Sequence, residues 1–172
     1  MIGYSEVLQT MAAMIIFSMI LLNTNHMIQR NSMMQVESEL EQEVITLGQE
    51  VIDEARTKSF DQVTVNAEAP PSSIPGGFTA AGSLGSGSGE TTRRSFNDFD
   101  DYNNWSDTFT TEHGEFEVGV QVYYVDQVNY QKTMTETTFK KIEVTVSNKF
   151  LRTGGDTPRE YKLEFIRNYY AD

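Results

Sequence analysis

The chain has 172 residues, no cysteine and a formal net charge of −12. That length suits one domain plus a tail, and the lack of cysteine excludes disulfides and thiolate metal sites. Both the first 60 residues and the remainder are acidic, so no basic face for nucleic acid is expected.

The first six residues, MIGYSE, lack the positive charge that begins a secretory signal. Leu22 is followed by Asn-Thr-Asn-His instead of a small-residue cleavage site, so an ordinary removable signal peptide is not expected. Residues 11–22, MAAMIIFSMILL, contain one polar side chain, Ser18. No proline occurs before Pro70, and the spacing predicts a single helix from about residue 5 to about residue 58. Such a helix would be roughly 80 Å long at the standard rise. Its apolar end, residues 1–32, is too long for its own small domain to bury and needs a membrane or copies of itself. The clean apolar run is shorter than the roughly 20 residues of a bilayer span. Extending it to residues 7–28 admits Gln9, Thr10, Asn23, Thr24, Asn25 and His26. That polarity suits a segment that enters lipid and later leaves it for an assembly. Seven of the eight methionines lie at or before Met34, consistent with adaptable helix–helix contacts.

Residues 33–60 read as an amphipathic continuation. Met33, Val36, Leu40, Val44, Leu47, Val51 and Ala55 recur at three- and four-residue spacing, a single apolar stripe. Val36, Leu40, Val44, Leu47 and Val51 are expected to pack on the strands that follow. Asn23 to Asn25, Asn31 and Ser32 are poor helix formers, because their side chains compete for backbone hydrogen bonds. An interruption of the helix over residues 22–32 is therefore expected in an assembled state.

Residues 61–113 read as a connection. QVTVNA at 62–67 alternates like a short strand, and residues 69–90 are rich in Pro, Gly and Ser, as in a surface loop. The glycines from Gly85 to Gly89 lack the Lys-Ser/Thr and the strand–turn–helix setting of a phosphate loop. Asp98, Asp100 and Asp101 offer oxygen ligands to a hard cation such as calcium. The other reading of the same stretch is an Asp/Asn turn packed by Phe96, Phe99, Tyr102 and Trp105. Asn104-Trp105-Ser106 is an N-glycan acceptor sequence.

Residues 114–172 have period two. Phe116, Val118, Val120, Val122 and Tyr124 alternate with polar residues, as do Ile142, Val144 and Val146, then Tyr161, Leu163 and Phe165. Three amphipathic strands in series predict an antiparallel meander whose apolar face the helix stripe covers. The fold class is thus α+β. His26 and His113 are the only histidines, and no GxSxG, HExxH or phosphate-loop motif occurs, so no enzyme is expected and no cofactor is required.

Taken together, these features resemble a type IV pilin or pilin-like protein. Glu6 precedes an apolar run, the helix is half apolar and half amphipathic, and a Ser/Gly/Pro-rich loop leads to a small antiparallel sheet. FKKIEVTVSN (139–148) and FNDFDDYNNW (96–105) are similar to strand and turn segments of pilin-like sequences. The resemblance implies a homo-oligomeric helical filament on a bacterial cell surface, serving adhesion or motility. It implies insertion in the inner membrane before assembly and handling by a pilus assembly machinery. Met1, Glu6, Met11, Met14, Ile15, Ile16, Phe17, Met19, Ile20, Leu21 and Leu22 become the expected assembly residues. The pilin glutamate is fifth in the mature chain. Glu6 is fifth when counted from Ile2, but third if a leader is cut after Gly3. No basic residue precedes Arg30, so the cation available to Glu6 is an N-terminal amine, its own or a neighbouring subunit's. Other readings are a pseudopilin of a secretion or DNA-uptake machine and a monomeric single-pass membrane protein with an extracytoplasmic binding domain.

Overall fold

A computed structural model of the chain describes residues 3–66, 74–152 and 157–170. Met1 and the connection at 153–156 lie outside the described residues, as does part of the Pro-rich loop. The chain divides into two compact units, residues 1–39 and 40–172.

One α-helix, α1, runs unbroken over Tyr4–Thr57. The weak helix formers between residues 22 and 32 therefore do not break it in the single chain. In the first unit every described residue of α1 is exposed. In the second unit α1 buries Leu40, Val44, Leu47, Gly48, Val51, Ile52 and Ala55. Four of the five expected packing residues are thus placed as foreseen, and Val36 is not. It lies a turn before the first buried position and is 54% exposed. The apolar stripe in the sequence runs on past the part of the helix that the sheet covers.

Four strands form one antiparallel sheet in the order β1-β2-β3-β4: β1 (Ser106–Thr111), β2 (Gly114–Tyr124), β3 (Phe139–Arg152) and β4 (Pro158–Asn168). The last three follow the period-two reading. β1 was foreseen as part of the connection, and it pairs with β2 through Phe109↔Phe116 and its neighbours. The inner face of the sheet presents Phe116, Val118, Val120, Val122, Ile142, Val144 and Val146, which join the buried face of α1 in one core. Burying such side chains contributes roughly 1.5–3 kcal/mol each relative to exposure. Gly48 lets Leu163 of β4 approach the helix: a Cβ there would lie 2.9 Å from Leu163 Cδ1.

The stretch foreseen as a strand at 62–67 begins instead with a 3-10 turn, Gln62–Thr64. Asp61 and Thr64 form a reciprocal capping box, with Asp61 N–H donating to Thr64 Oγ1 and the Asp61 carboxylate accepting from Val63 N–H. This local bonding overrides the apolar–polar alternation. The Gly/Ser-rich loop is also anchored. Phe78 and Leu84 are buried in a second, aromatic cluster with Phe60, Tyr124 and Tyr169. The Phe60, Phe78 and Tyr169 rings meet at 5.3–5.6 Å in tilted and edge-on contacts.

Candidate functional site

Two groups of residues stand out from ordinary packing. The first is the N-terminal apolar segment. Met11, Met14, Ile15, Ile16, Phe17, Met19, Ile20, Leu21 and Leu22 are each more than half exposed. An 18-residue window of the helix reaches a mean hydropathy of 1.8, enough by length and composition to cross a membrane. Three hydroxyl side chains here return their protons to the helix. Thr10 Oγ1 donates to Val7 O, Ser18 Oγ to Met14 O and Thr24 Oγ1 to Ile20 O, all at 2.8 Å. Hydroxyls bonded in this way leave no donor unpaired in an apolar surrounding. Glu6 lies in the first turn, where a carboxylate favours the positive end of the helix dipole. Its Oε2 accepts from Gly3 N–H at 3.2 Å.

The second group is a buried polar cluster under the aromatic rings. Lys140 of β3 is fully buried, as are Asp61, Asp98, Asp100 and Asp101. Period two explains the placement: Lys140 shares the inward face with Ile142, whereas Lys141 points outward to Glu164. Lys140 stands beside Tyr124 on β2 and Arg167 on β4. Its Nζ donates to Phe60 O at 2.8 Å, to Asp61 Oδ2 at 2.7 Å and to Asp100 Oδ1. Phe60 and Tyr124 place their ring centroids 4.7 and 5.2 Å from the ammonium. Arg167 completes the region by donating to Lys58 O at 2.7 Å, satisfying a carbonyl just past the helix end.

The carboxylates differ in state. Burial alone would raise Asp61, but Lys140 and the donors Thr79 and Val63 hold it below the usual carboxylate range. Asp100 is raised by burial despite Lys140. Asp98 is pushed up to about 8, by burial first and then by the Asp100 and Asp101 carboxylates.

These bonds bear directly on the calcium expectation. Asp98 Oδ1 accepts from Asp100 N–H and Asp101 N–H, and Asp101 Oδ2 from Asn97 N–H and Asp98 N–H. Asp100 is taken by Lys140. The three side chains thus serve the chain's own donors, and among the described residues no group of three or more His, Asp or Glu side chains is placed to hold a metal ion. Phe96, Phe99 and Tyr102 are buried around this turn, and Trp105 packs beside them. Asn104 is exposed in a left-handed conformation (φ 62°), available to a glycan. Lys140 and Asp61 were missed from the sequence, although extending the alternation of Ile142, Val144 and Val146 back by one step puts Lys140 on the apolar face.

No family model, no curated protein and no solved structure matches this chain. The architecture itself, a long N-terminal apolar helix whose later half packs on a four-stranded antiparallel sheet, is compatible with a pilin-like fold.

Proposed function

We propose that the chain is a non-enzymatic structural subunit of a type IV pilus-like extracellular filament. It assembles through its N-terminal apolar helix and resides in a membrane beforehand. The observation that carries this reading is the apolar segment at 11–22, which is left uncovered by the described residues of its own chain. Burying that surface against copies of itself would contribute free energy in proportion to the apolar area removed from water. The internally bonded hydroxyls support the same reading, because they make transfer between lipid and a protein core inexpensive. Adhesion or motility is the role proposed for the filament, carried out by its exposed sheet domains.

Electron microscopy of sheared cell-surface material, with mass spectrometry of the purified filaments, tests this. Filaments containing the chain are expected. Monomers confined to membranes under every growth condition would favour the single-pass membrane alternative, and a short periplasmic assembly without surface filaments would favour a pseudopilin.

A further inference from the structure

The cluster around Lys140 holds more than an ion pair needs. A buried ion pair adds little net stability, since desolvation offsets the attraction. Here a lysine, two contacting carboxylates and a third, protonated acid are enclosed together. Lys140 and Asp61 are 0% exposed, Asp98 is 1% and Asp100 is 2% exposed. Lys140 Nζ donates directly to an Asp100 carboxylate oxygen, and both side chains are closed off from bulk solvent, so an amine nitrogen and a carboxyl group are held in contact. Once one proton has moved between them, they are an amine and a carboxylic acid, the two reactants of amide formation. Held in contact, they react with the advantage of an intramolecular encounter.

We propose that Lys140 Nζ and the Asp100 carboxyl group condense into an amide, so that the mature chain carries a covalent cross-link between β3 and the turn at Asp100–Tyr102. Asp100 is the electrophile because the two contacting carboxylates are held differently. Asp61 accepts from Thr79 N–H at 3.0 Å, Thr79 Oγ1 at 3.1 Å, Tyr124 OH at 3.2 Å and Val63 N–H at 3.3 Å. Against its burial, Lys140 first, and then the Thr79 and Val63 donors, hold it below the usual carboxylate range, and an anion resists attack. Asp100 adjoins Asp98, whose proton is retained near neutral pH.

The step balances without a co-reactant. The ammonium passes one proton to Asp100, and the amine lone pair forms the N–C bond at Cγ. Asp98 donates a hydrogen bond to the developing oxyanion, as preorganised donors do. The C–OH bond then breaks, and the hydroxyl leaves as water with the second amine proton, relayed through Asp98. Asp98 ends as it began. The water has an exit. A cavity of about 350 Å³, lined by Gln62, Thr79, Asp98, Asp100 and Asp101, reaches the surface at Ser88.

The test is peptide mapping of the full-length protein purified from its cells. Trypsin is expected not to cut after Lys140, and fragmentation should show a branched peptide joining the Asp100 and Lys140 segments, lighter than their sum by one water. Asp100→Asn should give the same branched peptide by releasing ammonia, and Asp100→Ala and Lys140→Arg should give none. Linear peptides with cleavage after Lys140 would overturn the proposal. So would loss of water from Asp100 without a branch, or a branch to Asp61. Should the variants fail to accumulate, the map of the unaltered chain still decides.

Discussion

Gly48 of α1 and Leu163 of β4 are so close that a methyl group at position 48 would stand 2.9 Å from one Leu163 methyl and 3.1 Å from the other. Helix propensity favours alanine over glycine here by about 1 kcal/mol. The contact sets the limit, since only the tip of one leucine can give way. Gly48→Ile is expected to destabilise the domain by about 1–3 kcal/mol, the usual cost of overpacking. Chemical denaturation of a soluble fragment starting near Gln35 measures it.

The limit of the buried stripe gives a paired prediction. Leu40 is 4% exposed and Val36 is 54% exposed, although the same apolar repeat contains both. Leu40→Ala or Leu47→Ala should cost about 2–5 kcal/mol. Val36→Ala should stay within about 0.5 kcal/mol, as at an ordinary surface position. Equal losses at positions 36 and 40 in the same fragment would show that the packing extends further along α1.

Asp98 predicts the direction of a pH dependence. Its folded-state pKa, about 8, lies above the unfolded carboxylate value. The stability from keeping it protonated is therefore complete below the unfolded pKa and is lost as pH rises towards about 8. The melting temperature should fall between about pH 5 and about pH 8 and then level off. Burial, the largest cause, acts whether or not the neighbouring amide has formed. Asp98→Asn keeps the Oδ1 acceptor for the Asp100 and Asp101 amides. It should flatten this part of the profile, and a variant that melts with the unaltered slope would assign the dependence elsewhere.

Glu6 is the carboxylate placed ahead of the apolar run, and no basic residue precedes Arg30. In a packed filament we predict that its partner is the N-terminal amine of a neighbouring subunit, a pair that would reward one axial register. Glu6→Ala and Glu6→Gln should leave the sheet domain folded by circular dichroism and sharply reduce filament yield. Filaments of normal number and length from Glu6→Ala cells would remove this role.

In the single chain α1 is continuous through residues 22–32. In the filament, Asn23 to Asn25, Asn31 and Ser32 are expected to let the helix open locally, since these side chains offer the backbone other hydrogen bonds. A cryo-electron microscopy map with unbroken helix there would refute this.

The long helix and three of the strands were legible because their burial writes a period into the sequence. Leu40, Val44, Leu47 and Val51 repeat every three or four residues, and Ile142, Val144 and Val146 every two. β1 carries no such signal, since SDTFTT buries only part of Phe109 and Thr111. QVTVNA has the alternation of a strand, but the capping box of Asp61 and Thr64 acts over three residues and wins. The Lys140 cluster was hidden for another reason. Lys140 stands 40 residues from Asp100 and 79 from Asp61, and only the fold brings the three together.

The two edges of the sheet, β1 and β4, have a consequence for how such subunits behave when crowded. Open edges invite strand-to-strand fusion into amyloid-like ribbons, and proteins deter this with proline and charge. β4 opens with Pro158, which has no N–H to offer, and continues through Arg159, Glu160, Lys162 and Glu164. β1 is short and carries exposed Asp107 among threonines. Neighbouring sheet domains packed at high density should therefore slide past one another without annealing edge to edge.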